Sequence, residues 1–147
     1  MIVLFDAGPL GMASNPKASA RNRACYDWLL AVVTEGETVL VPEVADYEVR
    51  RELLRANKAK GLARLDLLKQ TLGYLPLNTV MMLRAAQLWA QARRSGMPTA
   101  DRHALDCDAI LAAQALEVRG VVATDNVGHL SRFVDVRHWR SFETTSR

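Results

Sequence analysis

Four acidic residues stand where a carboxylate is costly to keep: Asp6 directly after the apolar run "IVLF", Glu48 within an amphipathic segment, Asp108 ahead of "AILAAQAL", and Asp125 directly after "VVAT". Like charges gathered in one cleft repel, and each is pushed toward its neutral form unless something compensates. A hard divalent cation compensates directly, because Mg2+ and Mn2+ favour carboxylate oxygens and retain part of their water. An ion held in this way activates water and offsets charge on a phosphoryl group. On a chain with formal net charge +3, the chemistry that follows is phosphodiester hydrolysis, with basic residues holding the polyanion.

Each acid also has a purely structural use. Asp6 precedes Gly8 and Pro9, and Asp commonly opens a turn. Glu48 lies three residues before Arg51, and Glu52 three before Arg55, the spacing of helical surface pairs that contribute about 0.2–0.5 kcal/mol. Asp106 and Asp108 both stand at the mouth of an apolar helix. One carboxylate suffices to cap it, so we assign Asp106 as cap and Asp108, inside the first turn, as ligand, with the exchange of roles left open. Asp125 with Asn126 can be a simple turn after a strand. What favours a joint role is that several of these positions fall at strand or helix ends.

The elements that would carry them alternate in type. Short apolar runs at Ile2 to Phe5, Thr38 to Pro42 and Val121 to Thr124 read as buried strands, with a further one near Val134 to Val136. Helical periodicity places Cys25, Trp28, Leu29 and Val32 on one face of a helix capped by Ser19 and ending near Thr34. Helices are also expected from about Val44 to Ala56, near Leu62 to Leu72, from Thr79 to Ser95 with Gly96 and Pro98 as stop signals, and from Asp106 to Arg119. Gly8 and Pro9 read as a break. Short apolar strands alternating with helices define an α/β domain with a mostly parallel central sheet. Ligands of such sheets bind beyond the carboxyl ends of the strands, which is where Asp6 and Asp125 fall.

The 147 residues, half of them hydrophobic, fit one domain spanning 1–147 with a core that needs no staples. Cys25 and Cys107 show no metal or redox spacing and read as reduced, buried thiols. The opening apolar run is too short for a secretory leader, and no stretch reaches membrane-spanning length, so the expectation is a cytoplasmic protein with no membrane partner. Seven basic residues, Arg50, Arg51, Arg55, Lys58, Lys60, Arg64 and Lys69, crowd the segment after Glu48 as candidate phosphate contacts or as a solvated face. His103, His129 and His138 show no zinc spacing.

These motifs resemble the PIN-domain ribonucleases, in particular the VapC-type toxins of bacterial toxin–antitoxin pairs, over essentially the whole chain. "IVLFDAGPL" is similar to the family's opening strand and Asp, "PEVADYEVRREL" to its helix with a Glu, "DAILAAQAL" to the run after its third acid, and "VVATDNVGHLSRF" to its final motif. The resemblance implies a three-layer α/β/α PIN-like domain and an endoribonuclease dependent on Mg2+ or Mn2+. Carried over, Asp6 and Asp108 are metal ligands, Glu48 holds metal or water, Asp125 or Asn126 completes the catalytic set, and Thr124 orients that fourth position. It further implies an RNA substrate, a small antitoxin protein that blocks the cleft, and a homodimer. The family's toxins commonly carry Thr and Asn after the first Asp, where this chain has Ala7 and Gly8. An aspartyl phosphatase of the haloacid dehalogenase type also opens strand-Asp but needs a second Asp at the position of Gly8. A PIN-like RNA-binding or protein-interaction module without catalysis is the alternative from another class.

Overall fold

The structure, a computed structural model, describes residues 1–96 and 102–142. Five strands, β1 (Ile2–Phe5), β2 (Thr38–Pro42), β3 (Tyr74–Leu75), β4 (Val121–Thr124) and β5 (Val136–His138), form one sheet in the order β3-β2-β1-β4-β5. Every pairing is parallel. The helices are α1 (Ala7–Ser14), α2 (Ala20–Thr34), α3 (Glu43–Arg55), α4 (Ala59–Thr71), α5 (Thr79–Arg94) and α6 (Arg102–Val118). A parallel sheet needs cover on both faces, and side-chain alternation along β1 supplies it. Val3 and Phe5 pack with Leu10, Leu29, Val32 and Leu65 of α1, α2 and α4. Leu4 faces the other way and packs with Leu111 and Ala115 of α6, behind which Met81 and Ala85 of α5 meet Ala113. The result is a three-layer α/β/α domain.

The central strands and the faces of α2 and α5 lie where the sequence periodicity puts them, with Cys25, Leu29, Val32, Met81, Ala85 and Ala92 buried. Four details differ from expectation. First, Gly8 and Pro9 do not break the chain; they form the first turn of α1. Asp6 is its N-cap, its carboxylate accepting the Ala7 N–H at 2.7 Å. Pro9 is tolerated because the amide it lacks has no partner within a helix's first turn. Second, α6 begins at Arg102, so Asp106 is not a cap: Asp106 and Asp108 both lie beyond the first turn, Asp106 exposed and Asp108 half-buried. Third, β5 starts at Val136 instead of ending there, and fourth, the two-residue β3 has no counterpart in the sequence reading. Pro98 lies outside the described residues.

α3 and α4 form a tight antiparallel hairpin. Asn57 turns it with φ 53°, in the left-handed region that Asn tolerates. Gly61 lets α4 approach closely, since a Cβ there would lie 2.8 Å from a Leu53 methyl. Buried Gln114 of α6 spans the sheet edge: its Nε2 donates to the Leu75 carbonyl at 2.8 Å and its Oε1 accepts the Val44 N–H at 3.4 Å.

Candidate active site

β1 is where the chain order reverses, running outward to β2 and β3 on one side and to β4 and β5 on the other. Such a switch point opens a crevice at the carboxyl ends of the strands. Asp6 leaves β1 at this crevice and is held at both oxygens. Ala7 N–H donates to Oδ1 at 2.7 Å, and the buried Thr124 hydroxyl at the end of β4 donates to Oδ2 at 2.7 Å. Thr124 Oγ1 also accepts the Asn126 N–H at 3.0 Å. Burial raises the Asp6 pKa, its Thr124 and Ala7 hydrogen bonds pull it down, and the Asp125 charge pushes it up again.

Glu48 arrives from the second turn of α3. Burial first, then the charges of Asp6 and Asp108, push its carboxyl up to about 7, against the pull of the Arg51 guanidinium and a hydrogen bond from Cys107. Asp108 arrives from α6 and is pushed up to about 6, by burial and then by Asp6, with His129 and Arg132 pulling the other way. Asp6, Glu48 and Asp108 therefore feel one another as charges, although 102 residues separate the first from the last. Two other acids of α3 are accounted for structurally. Glu43 accepts the Leu77 N–H at 2.7 Å, and Asp46 pairs with Arg50 at 3.0 Å and Lys69 at 3.4 Å.

Asp125 lies on the opposite flank of Asp6. Its carboxyl rests on the backbone of Gly8, where a Cβ would sit 2.6 Å from the Asp125 Cγ, and it pairs with Arg21 of α2 at 3.4 Å. Asn126 is exposed and folds into its own turn, its Oδ1 accepting the Gly128 N–H at 3.3 Å. Thus Asp125, not Asn126, is the group whose charge reaches Asp6, and the glycine after the first Asp is what gives it room.

Among the described residues, no three His, Cys, Asp or Glu side chains already surround a single point. A hard cation of the Mg2+ class is compatible with this donor set, since it commonly takes one or two carboxylates and completes its shell with water. Asp6 and Asp108 offer oxygens in a partly desolvated, mutually repelling arrangement, the condition that a cation relieves.

Several neighbours escaped sequence reasoning. Arg132 and His129 face Asp108, Cys107 faces Glu48 beside the expected Arg51, and Arg21 faces Asp125. Their partners are mostly remote in sequence, as with Arg21 and Asp125 at 104 residues, so no spacing announces them. Cys107 is half-buried beside Glu48, not sequestered in the core as expected, and burial raises its thiol to about 11. The basic cluster divides. Arg50 is bound between Asp46 and Asp66, Lys69 pairs with Asp46, Arg55 pairs with Glu52, and Arg64 donates to the Ala13 carbonyl. Lys58 and Lys60 have no carboxylate of the described residues within 4.0 Å. The His103 side chain lies outside the described residues.

A PIN-like α/β fold with acids at the carboxyl edge of β1 is the class this architecture defines. The particular counterparts are VapC and FitB PIN-domain toxins, matched over nearly the whole chain. VapBC2 of Rickettsia felis, solved bound to a DNA fragment from its promoter, matches with TM-score 0.76 at 15% identity, covering 95% of this chain and 99% of that one. FitAcB of Neisseria gonorrhoeae matches with TM-score 0.70 at 22% identity over 95% and 99%. VapC20 of Mycobacterium tuberculosis, a Sarcin-Ricin loop cleaving toxin, matches with TM-score 0.65 at 14% identity over 92% and 98%. At these identities the likeness is one of fold. No protein-family model matches the chain, and no curated protein matches it.

Proposed function

We propose that this protein is a metal-dependent endoribonuclease, the toxin of a type II toxin–antitoxin pair, acting through Asp6, Glu48, Asp108 and Asp125. The observation that carries the reading is that Asp6, clamped by Thr124 and Ala7 at the switch point of a PIN-like sheet, stands near enough to the half-buried Glu48 and Asp108 for its charge to raise both carboxyls. Asp6 and Asp108 would hold Mg2+ or Mn2+, which when bound supplies charge neutralisation at the phosphoryl group and a more acidic water. Thr124 and Ala7 fix the Asp6 carboxylate, so its remaining lone pairs are aimed before any ligand arrives. Glu48, titrating close to neutrality, is suited to take a proton from the attacking water. Asp125, seated against Gly8, completes the negative edge beside Asp6. Arg132 supplies positive charge on the Asp108 side, where the phosphodiester would lie.

The fold likeness to VapBC and FitAB proteins supports the further reading that a small antitoxin protein covers this cleft and that the toxin forms a homodimer. Among the described residues no helix is long and apolar enough to cross a membrane, and we place the activity in the cytoplasm, where its RNA substrate would be. The test is cleavage of total cellular RNA with Mg2+ or Mn2+. Wild type should cut and a chelator should stop it. Asp6→Asn and Asp108→Ala should lose at least about a hundredfold in rate, the scale of losing a principal electrostatic group, while circular dichroism stays unchanged. Equal cleavage by the variants, or none by wild type at any divalent ion, ends the reading. The second reading, a PIN-like RNA-binding or protein-interaction module without catalysis, is favoured by one observation: no three ligand groups yet converge among the described residues. It expects RNA or protein binding with no cleavage.

A further inference from the structure

The acidic crevice continues into a groove of about 990 Å³ that starts at Ala7, Gly8 and Glu48 and runs between the end of α1 and the α3–α4 hairpin. Its far part is lined by Lys17, Lys58 and Lys60, none with a carboxylate of the described residues within 4.0 Å, while its one acid besides Glu48 is Glu52, already paired with Arg55. Asn15, Pro16 and Lys17 also border a second hollow of about 560 Å³, so the two meet along this short segment. That second hollow carries Arg23, Arg64, one acid, Asp27, and the partly exposed ring of Tyr26, with the Arg64 guanidinium 5.7 Å from its centroid. The result is a trough with an acidic head, cationic walls and an aromatic ring at its far end.

We propose that this trough is the track for single-stranded RNA leading away from the scissile bond, with Lys58, Lys60 and Lys17 on successive phosphates and one base stacked on Tyr26. Flexible single strands are bound by this combination of a cationic groove and an aromatic platform. The hairpin that presents Lys58 and Lys60 is closed by Asn57 in its left-handed turn and by the close approach of Gly61 to Leu53, so the backbone holds both lysines beside the groove while their flexible stems reach into it. A duplex offers no unstacked base to Tyr26. The identity of the ligand rests on the nuclease reading; the location and strandedness of the track do not depend on cleavage.

The test is fluorescence anisotropy with the full chain, chelator present so that nothing is cut, and a labelled single-stranded RNA of about ten nucleotides, within the usual site size for such grooves. Lys58→Ala/Lys60→Ala should weaken binding about tenfold or more and lower the slope of log affinity against log salt by about 1.4, the value for two lost phosphate contacts on a single strand. Tyr26→Ala should lose about tenfold at any salt and Tyr26→Phe should restore it. A duplex of equal length should bind more weakly than the single strand. Unchanged affinity and salt slope in the double lysine variant, or equal binding of duplex and single strand, overturns the proposal; an unchanged RNA affinity together with lost binding of a protein partner would give the trough to that partner. A wild type that binds RNA in this pattern but never cuts it leaves the track standing and removes the nuclease.

Discussion

Gly8 carries no side chain where the Asp125 carboxyl needs the space. A helix would ordinarily prefer alanine to glycine by about 1 kcal/mol. Here Gly8→Ala should instead displace Asp125 and break its pairing with Arg21. The expected result is a loss of at least about tenfold in cleavage, on the scale of a misplaced catalytic group, together with a lower thermal midpoint. Adding Asp125→Ala to Gly8→Ala should recover the midpoint but not the activity. Protonation gives a second expectation at this scale. Glu48 and Asp108 have folded pKa values of about 7 and about 6, above their ordinary values. A raised carboxyl stabilises the fold fully below its unfolded pKa, and that stabilisation is lost as pH rises through the folded value. The metal-free protein should therefore lose stability between about pH 4 and pH 8 through these groups. Glu48→Gln should recover on the order of 1 kcal/mol at about pH 8 and nothing at about pH 4, after discounting for partial solvent screening, in urea titrations with chelator. A divalent cation works in the opposite sense because it needs the ionised carboxyls. The rise in melting temperature on adding Mg2+ should grow over the same interval.

At the scale of elements, the acids are aligned by a few joints. Gln114 ties α6, which carries Asp108, to β3 and to the start of α3, which carries Glu48. Gln114→Ala leaves the buried Val44 N–H and the half-buried Leu75 carbonyl without this partner, a cost of about 1–3 kcal/mol. Urea midpoints should fall accordingly, and divalent affinity should fall with them, because the helix that carries the proposed ligand Asp108 loses this anchor. The sequence disclosed the elements whose burial is periodic: β1, β2, β4, α2 and α5 follow from apolar runs and helical faces. It disclosed the acids for the same reason, since Asp6 and Asp125 end strands that could be read. α1 stayed hidden because Pro9 in a first turn looks like a breaker until the capping role of Asp6 is seen. β3 stayed hidden because two residues have no period; its place is set by pairing with Val41 and Pro42. The early start of α6 removed Asp106 from its expected cap. Of the ion pairs, Glu52–Arg55 follows helical spacing, whereas Arg21–Asp125 and Lys69–Asp46 depended on tertiary contact.

Across the whole molecule, the C-terminal turn closes the α2 layer. Trp28 packs edge-on to Phe5 at 5.9 Å and to Phe142 at 5.8 Å between centroids, with Trp139 tilted against it at 6.2 Å. Trp139 and Phe142 are both buried. Ending the chain after His138 removes both rings, a loss of about 3–6 kcal/mol in burial, a large share of the roughly 5–15 kcal/mol that keeps a domain folded. Such a truncated chain should show shifted Trp28 emission and no cooperative thermal transition. A chain that retains a sharp transition would show the aromatic cluster to be dispensable.

The strand order also has a consequence during synthesis. β1 leaves the ribosome well before its lasting neighbour on one flank, β4, which is translated more than a hundred residues later. Until that strand emerges, Thr124 cannot clamp Asp6 and Asp125 does not exist beside it. On the proposed ribonuclease reading, a nascent chain lacks a complete site until that strand is made, and a cell has that interval of translation in which to ready a neutralising partner.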